Sequence, residues 1–382
     1  MGIKIALLIV FFAVMVAVGL YARKHVTSVD GFVLGGRSAG PWLTAFAYGT
    51  SYFSAVVFVG YAGQFGWKYG LSSTWIGIGN AVIGSLLAWV VLGRRTKVMT
   101  QHLGSRTMPD FFGNRYGSRA LKIAASVIVF VFLVPYTASI YNGLSRLFEM
   151  AFRIPYTVCV AGMAVFTGIY VILGGYMATA INDFIQGIIM LIGIVAVIAA
   201  VLSGQGGFLE AIEKMAEIPS DIPVTLGQPG AFTSFFGPDP LNLLGVVILT
   251  SLGTWGLPQM VGKFYAIKDE KSIHTGTVIS TIFAVIISGG CYFLGGFGRL
   301  FDGKEIYDAS GVVVFDSIIP HMLSSLPDIL IGIVVVLVLS ASMSTLASLV
   351  LTSSSTLTLD FLKDTLIQEM REKKQIRGMQ IL

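Results

Sequence analysis

The stretch SASMSTLASLVLTSSSTL, residues 340–357, crowds serines and threonines into a helix that follows the apolar run IGIVVVLVL. A single hydroxyl in lipid is absorbed by bonding back to a carbonyl one turn earlier; a cluster of them asks for other partners. Ala341, Ser344, Thr345, Ser348 and Thr352 fall at i, i+3, i+4, i+7 and i+11, one stripe of a 3.6-residue helix. Two chemistries fit that stripe. One is a small-residue seam that lets helices approach closely. The other is ligation of a hard cation, which wants several oxygens. The carbonyl of Ala341 and the hydroxyls of Ser344 and Thr345 offer three on one side, and unwound carbonyls around Thr50 and Phe53 would supply more. Such a site holds no formal negative charge, so it binds weakly enough to release its ion.

The identity of the ion follows from what is scarce. Proton coupling needs a titratable group inside the membrane. The four histidines (His25, His102, His274, His321) fall in connections or at span edges, and the acid nearest working depth is Asp183, in ATAINDFIQG. Few carboxylates and many hydroxyls favour Na⁺. Asp183 itself reads either as an intramembrane functional acid or as a carboxylate stabilised at a helix N-terminus. Tyr48 and Trp255 stand beside two helix interruptions, where each flanks a solute or packs as an aromatic.

The elements that position these residues are set by composition. The chain is 55% apolar and 12% charged over 382 residues, too little charge to cover a soluble surface. Nine apolar spans of membrane-crossing length are expected, at 3–22, 40–66, 73–93, 120–150, 156–175, 179–203, 239–262, 273–300 and 326–360. The first is too long for a signal-peptide core and ends in RKH, so it reads as a retained helix. Cys159 and Cys291 form no C-x-x-C pair, which argues against a disulfide framework or zinc. With the N-terminus outside, eighteen of the 25 Lys and Arg residues fall on the cytoplasmic side, among them Arg23, Lys24, Arg37, Arg94, Arg106, Lys122 and Lys263. The net charge of +5 is therefore orientation and not nucleic-acid recognition. TMPDFFGNRYGSR (107–119) reads as a short interfacial helix, and GGFLEAIEKMAEIPSDIP (206–223) as an external amphipathic one.

Two spans are interrupted. In the second, Tyr48-Gly49-Thr50-Ser51 sits near mid-span; in the seventh, Gly253, Gly256 and Pro258 fall within six residues. They lie five spans apart, the signature of two five-helix repeats that each open with a helix able to unwind at mid-membrane. Unwound backbone is tolerated there only where it lines a cavity.

In FVLGGRSAGPWLTAFAYGTSYFSA, MPDFFGNRYGS, GGYMATAINDFIQGIIMLIG, GLPQMVGKFYAIKDEKSIHTG and ASMSTLASLVLTSSSTLTLDFLK, the sequence resembles the sodium/solute symporter family, which includes sodium/proline and sodium/pantothenate symporters. The resemblance implies an all-α polytopic membrane protein with a leucine-transporter-type 5+5 inverted repeat after one extra N-terminal helix. It divides the chain into a leading helix and loop (1–39), a first five-helix repeat (40–203) and an incomplete second repeat (239–382), short of its last two core helices, so that the chain reads as a fragment or truncated product. It implies a sodium site formed by the carbonyls of Thr50, Phe53 and Ala341 with the hydroxyls of Ser344 and Thr345. Asp183 and Ser348 would belong to a second sodium site or to an exit path, with Ala347 standing where a hydroxyl is expected. Solute contacts would fall to Tyr48, Ser54, Thr250, Thr254, Trp255 and Pro258. Thr250 and Thr254 replace a Trp and a Tyr of the proline members, and the segment around Pro258 looks closer to the pantothenate type.

The implied activity is uptake of a small organic solute driven by inward Na⁺ flux across the cell membrane, by alternating access, with lipid as the surrounding partner and no protein partner evident. An intramembrane enzyme would need a nucleophile–base pair or HExxH, and neither is found. A transporter-derived solute sensor and a proton-coupled carrier stay open as alternatives.

Overall fold

The computed structural model describes residues 2–22, 28–363 and 370–381, with a few side chains between 146 and 173 left out. The expected assignments of Arg23, Lys24 and His25, and the side chain of Cys159, lie outside the described residues. Sixteen α-helices order the rest: α1 (Gly2–Ala22), α2 (Val29–Leu34), α3 (Pro41–Tyr52), α4 (Ala62–Tyr69), α5 (Thr74–Gly79), α6 (Arg94–His102), α7 (Met108–Tyr116), α8 (Arg119–Phe152), α9 (Tyr156–Gly204), α10 (Phe208–Glu217), α11 (Pro240–Leu252), α12 (Pro258–Ala266), α13 (Glu270–Gly295), α14 (Phe315–Ser324), α15 (Asp328–Ser355) and α16 (Glu372–Ile381). Widened π turns link α3 to α4 and α5 to α6, and extend α15 to Leu362.

Helices dominate because a backbone in lipid must satisfy its own hydrogen bonds. Their ends follow local chemistry. Pro41, Pro240 and Pro258 open α3, α11 and α12, where a missing N–H costs nothing. Thr107, Ser118, Asp239 and Asp269 cap α7, α8, α11 and α13 through their side-chain oxygens. Asp269, outside the membrane-spanning segments, is held below the usual carboxylate range by the backbone and side chain of Ser272.

Among the described residues, six helical stretches are long and apolar enough to cross a membrane, and α11–α12 makes a seventh bent by 52°. All nine expected spans are helical. The third runs on to His102, past the expected end at 93. The fifth and sixth form one hydrogen-bonded helix, α9, that turns at Gly175. There φ is +53°, and a Cβ would come within 2.7 Å of the Phe32 carbonyl, so only glycine fits. The two expected surface helices are α7 and α10, the latter burying Ala211 and Met215 and exposing its charges.

An order repeats along the chain: a broken helix, a long helix, a short connecting helix, a long helix. It runs α3–α4, α5–α6, α7, α8, and again α11–α12, α13, α14, α15. α15 is the central rod, buried along most of its length against α9, α1, α8 and α3. Buried all round, it shows no apolar face, which is why hydroxyls and aliphatics mix along it. α13 packs on α3, α4 and α5; at the α4 crossing, Gly66 and Gly295 meet backbone to backbone, each too close for a Cβ.

The charged connections gather at two ends. At one, Arg37 holds the carbonyls of Ser105 (2.7 Å), Tyr265 (3.2 Å) and Thr100 (3.4 Å), Arg106 pairs with Asp30, and Arg94 pairs with Glu270. Burial lowers the Arg37 pKa. At the other, Arg299 bonds Asp221 (2.6 Å) and stacks its guanidinium on Phe232, and Lys4 pairs with Asp328 at 2.8 Å. Lys263 is the exception to the loop count. It lies inside α12, 3% exposed, because the helix runs four residues past the expected span end at 262.

Candidate cation and solute site

The first broken helix does not open where its glycine and hydroxyls predict. α3 continues through Tyr48, Gly49, Thr50 and Ser51, and the backbone leaves the helix at Phe53 (φ −108°, ψ 93°). The displacement has a packing cause. A Cβ on Gly49 would run into the Phe283 ring, so this glycine admits an aromatic side chain from α13 rather than unwinding α3. Ser54 restarts the chain: its carbonyl accepts from the amides of Val57 and Phe58, and its hydroxyl from that of Val56.

At this break the stripe on α15 meets α3. Ser344 Oγ donates to Thr50 Oγ1 at 2.7 Å, while Thr345 Oγ1 lies 3.3 Å from the Thr50 carbonyl and 3.0 Å from that of Ala341. Thr50 Oγ1 in turn donates to the Phe46 carbonyl at 2.8 Å. Phe53, Ser54 and Ala341 line one small cavity beside this cluster. The five expected sodium ligands, Thr50, Phe53, Ala341, Ser344 and Thr345, therefore occupy one buried neighbourhood. The polar atoms these five residues offer are neutral carbonyl and hydroxyl oxygens, a donor set suited to a hard monovalent ion and poor for a soft metal.

One turn further along α15, Ser348 Oγ lies 2.9 Å from Ser51 Oγ and accepts from Lys263 Nζ at 2.9 Å. The same ammonium stands 3.6 Å from Asp183 Oδ2 and 5.4 Å from the centre of the Tyr176 ring. Asp183 is fully buried, and neither of its oxygens has a hydrogen-bond partner at good geometry. The helix-terminus account of Asp183 fails on position: it lies eight residues past the turn at Gly175, beyond the first turn where the helix dipole acts. Lys263 was missed from sequence. Its signal was an ionisable residue flanked by Gly262 and Phe264 just behind a helix break.

The six solute candidates do not converge on one pocket. Tyr48 is packed, its hydroxyl on the Gly84 carbonyl (2.9 Å) and its ring against Trp89 and Phe264, so it is no cavity wall. Trp255 donates to the Ile83 carbonyl at 2.9 Å. Thr250 and its neighbour Ser251 both donate to Asn80 Oδ1 at 3.1 Å, Asn80 Nδ2 donates to Ser288, and Tyr52 donates to the Thr250 carbonyl. Thr254 bonds back to the Ser251 carbonyl within its own helix. Ser54 lies in the small cavity with Phe53. Pro258 lines a different cavity with Gln259, Lys263, Tyr176 and Ser348, which runs toward Arg106 and Thr107 at the basic end. Asn80, the hub of the α11 contacts, was also missed; its signal was a lone amide in the apolar run TWIGIGNAVIGSLL.

The model of the sodium:solute symporter family matches residues 32–382. Sodium/proline symporter 2 of Staphylococcus saprophyticus is 32% identical over 367 residues, 94% of this chain and 68% of that protein. The sodium/proline symporter of Staphylococcus aureus strain NCTC 8325 is 30% identical over 369 residues, 93% of this chain and 67% of that one. Among solved structures, a Na⁺-coupled sialic acid symporter in a substrate-bound outward-open state superposes with a TM-score of 0.80 at 16% identity, covering 99% of this chain and 77% of that chain.

Proposed function

This chain belongs to the sodium:solute symporter family, and from that premise we propose that Thr50, Phe53, Ala341, Ser344 and Thr345 hold the coupling sodium during uptake of a small amino-acid-like solute. Membership makes it a multi-pass membrane transporter of leucine-transporter type and not an enzyme, with Na⁺ as the coupling ion. The observation that carries the site assignment is the meeting of the α15 hydroxyls with Thr50 at the helix break.

The mechanism follows from what those contacts span. α3 and α15 come from different repeats, so an ion held between them links the two. Its binding orders the break, and the solute that uses the same break binds better; by reciprocity the solute raises the affinity for sodium. An inward-negative potential adds about 2.3 kcal/mol per charge per 100 mV, enough to drive accumulation of a neutral solute with one ion. The cavity beneath Pro258 and Ser348 supports release toward the end that carries Arg37, Arg94 and Arg106. We assign that basic end to the cytoplasm by its excess of Lys and Arg, which puts the N-terminus outside.

For the solute, the relatives' names favour proline, and pantothenate finds no support among them. Thr250 and Thr254 lie with Asn80 and Tyr52 around the second helix break, and we assign solute selection to that polar group. The deciding experiment is uptake of labelled proline into proteoliposomes under an imposed Na⁺ gradient, with K⁺ and proton gradients as separate arms. Uptake that needs sodium bears out the reading. Proline binding without sodium-dependent uptake makes the chain a sensor, and uptake driven by the proton gradient alone makes it a proton-coupled carrier.

A further inference from the structure

We propose that the Lys263 ammonium is a tethered cation that fills the position beside Asp183 and Ser348, so that this chain binds one sodium ion and not two. The inference rests on the sodium-coupled reading above and deepens it. Asp183 and Ser348 are the pair a second sodium would need, and the structure already places a positive charge between them, 2.9 Å from the hydroxyl and 3.6 Å from the carboxylate.

Three independent features agree. The first is charge. Asp183 and Lys263 are both almost wholly buried and together neutral. With the Asp183 charge already matched by the ammonium, a sodium ion there would find no net negative charge to offset the loss of its water. The second is ligand supply. Ser348 Oγ is shared between Lys263 and Ser51, and the Tyr176 ring offers its face to the ammonium. An ammonium is satisfied by donating its N–H groups to such oxygens and by a cation–π contact, whereas a bare ion would want more oxygens. The third is connectivity. Lys263 is on α12, Asp183 on α9 and Ser348 on α15, so the ammonium ties three elements together. A dissociating ion would make the same tie and then be lost to the cytoplasm on each cycle. The tethered charge stays, and it draws nothing from the sodium gradient.

The test is equilibrium binding of ²²Na⁺ to the purified chain in lipid nanodiscs, which needs no solute. One ion per chain with a Hill coefficient near 1 is expected. Lys263→Gln should raise the count to two and the Hill coefficient toward 2, because it vacates the position and leaves the Asp183 carboxylate unpaired. Lys263→Arg keeps a tethered cation and should keep the count at one. A count of two on the unsubstituted chain overturns the proposal while leaving sodium coupling intact. A count of one on both the unsubstituted chain and a folded Lys263→Gln also overturns it, since the ammonium would not then be what excludes the ion. If Lys263→Gln does not fold, Asp183→Asn serves: the proposal expects one ion before and after, and a fall from two to one overturns it. No sodium binding to the unsubstituted chain refutes the sodium-coupled reading itself.

Discussion

Ser344 Oγ donates to Thr50 Oγ1 across 2.7 Å, fastening the middle of α15 to the last turn of α3 just before that helix breaks. Thr345, the next residue, reaches the Thr50 carbonyl at 3.3 Å. Both side chains are fully buried, so removing one hydroxyl takes away an oxygen without admitting bulk water. Thr345→Ala is expected to raise the sodium concentration for half-maximal uptake about tenfold, which corresponds to ~1.4 kcal/mol for one oxygen contact. Solute preference should hold. Uptake titrated against sodium measures both, and an unchanged sodium requirement would remove Thr345 from the site.

The fold was legible because lipid leaves a chain few options: hydropathy gives the rods, and charge at the connections sorts their ends. The α15 stripe was legible for a related reason, since helical spacing alone puts Ser344, Thr345 and Ser348 on one side. Positions that depend on a partner helix were not. Gly49 reads as a break but serves the Phe283 ring, and Tyr48 reads as a solute contact but fills space against Trp89 and Phe264. Lys263 was hidden by a boundary drawn one residue early. A basic residue at a span edge ordinarily snorkels to water; this one turns inward because Asp183 and Ser348 wait there, and neither is near it in sequence.

Asn80 offers a test of the group assigned to solute selection. Its side chain accepts from Thr250 and Ser251 and donates to Ser288, three bonds from one buried amide. Asn80→Leu leaves Thr250 with the Val246 and Val247 carbonyls and takes the Asn80 bond from Ser251 and Ser288, and about 1–3 kcal/mol of stability should go with the lost bonds. If the group also selects solute, the half-saturating proline concentration should rise at fixed sodium while the sodium requirement changes little. A thermal shift alone, with transport constants unchanged, would make Asn80 a purely structural tie.

Close backbone approach makes a second set of expectations. Gly175→Ala puts a side chain at φ +53° against the Phe32 carbonyl, and Gly66→Ala drives a methyl into the Gly295 backbone. Each should destabilise the chain by about 1–3 kcal/mol. Gly245→Ala, in α11 with open space around it, is the control and should be neutral or slightly stabilising. Melting curves in detergent separate the three. Equal melting temperatures would mean that the crossing helices are free to part.

Lys122 carries the last prediction. Its ammonium lies 2.8 Å from Asp110 Oδ1 and 3.4 Å from Asp360 Oδ1, and so bridges α7 to the end of the α15 rod. Asp360 also accepts the Thr107 hydroxyl at 2.6 Å, and it is 1% exposed. Lys122→Met leaves two carboxylates facing each other with no cation between them, a loss of about 3–5 kcal/mol. The sign of the pH effect follows. Adding a proton to Asp360 abolishes the repulsion in the variant, but in the unsubstituted chain it discards a favourable ion pair. The gap between the two should therefore narrow as pH falls from 8 toward 5, and Lys122→Met/Asp360→Asn should recover much of the loss at pH 8. A gap that stays constant across this range would show that Lys122 acts through the packing of its aliphatic stem and not through its charge.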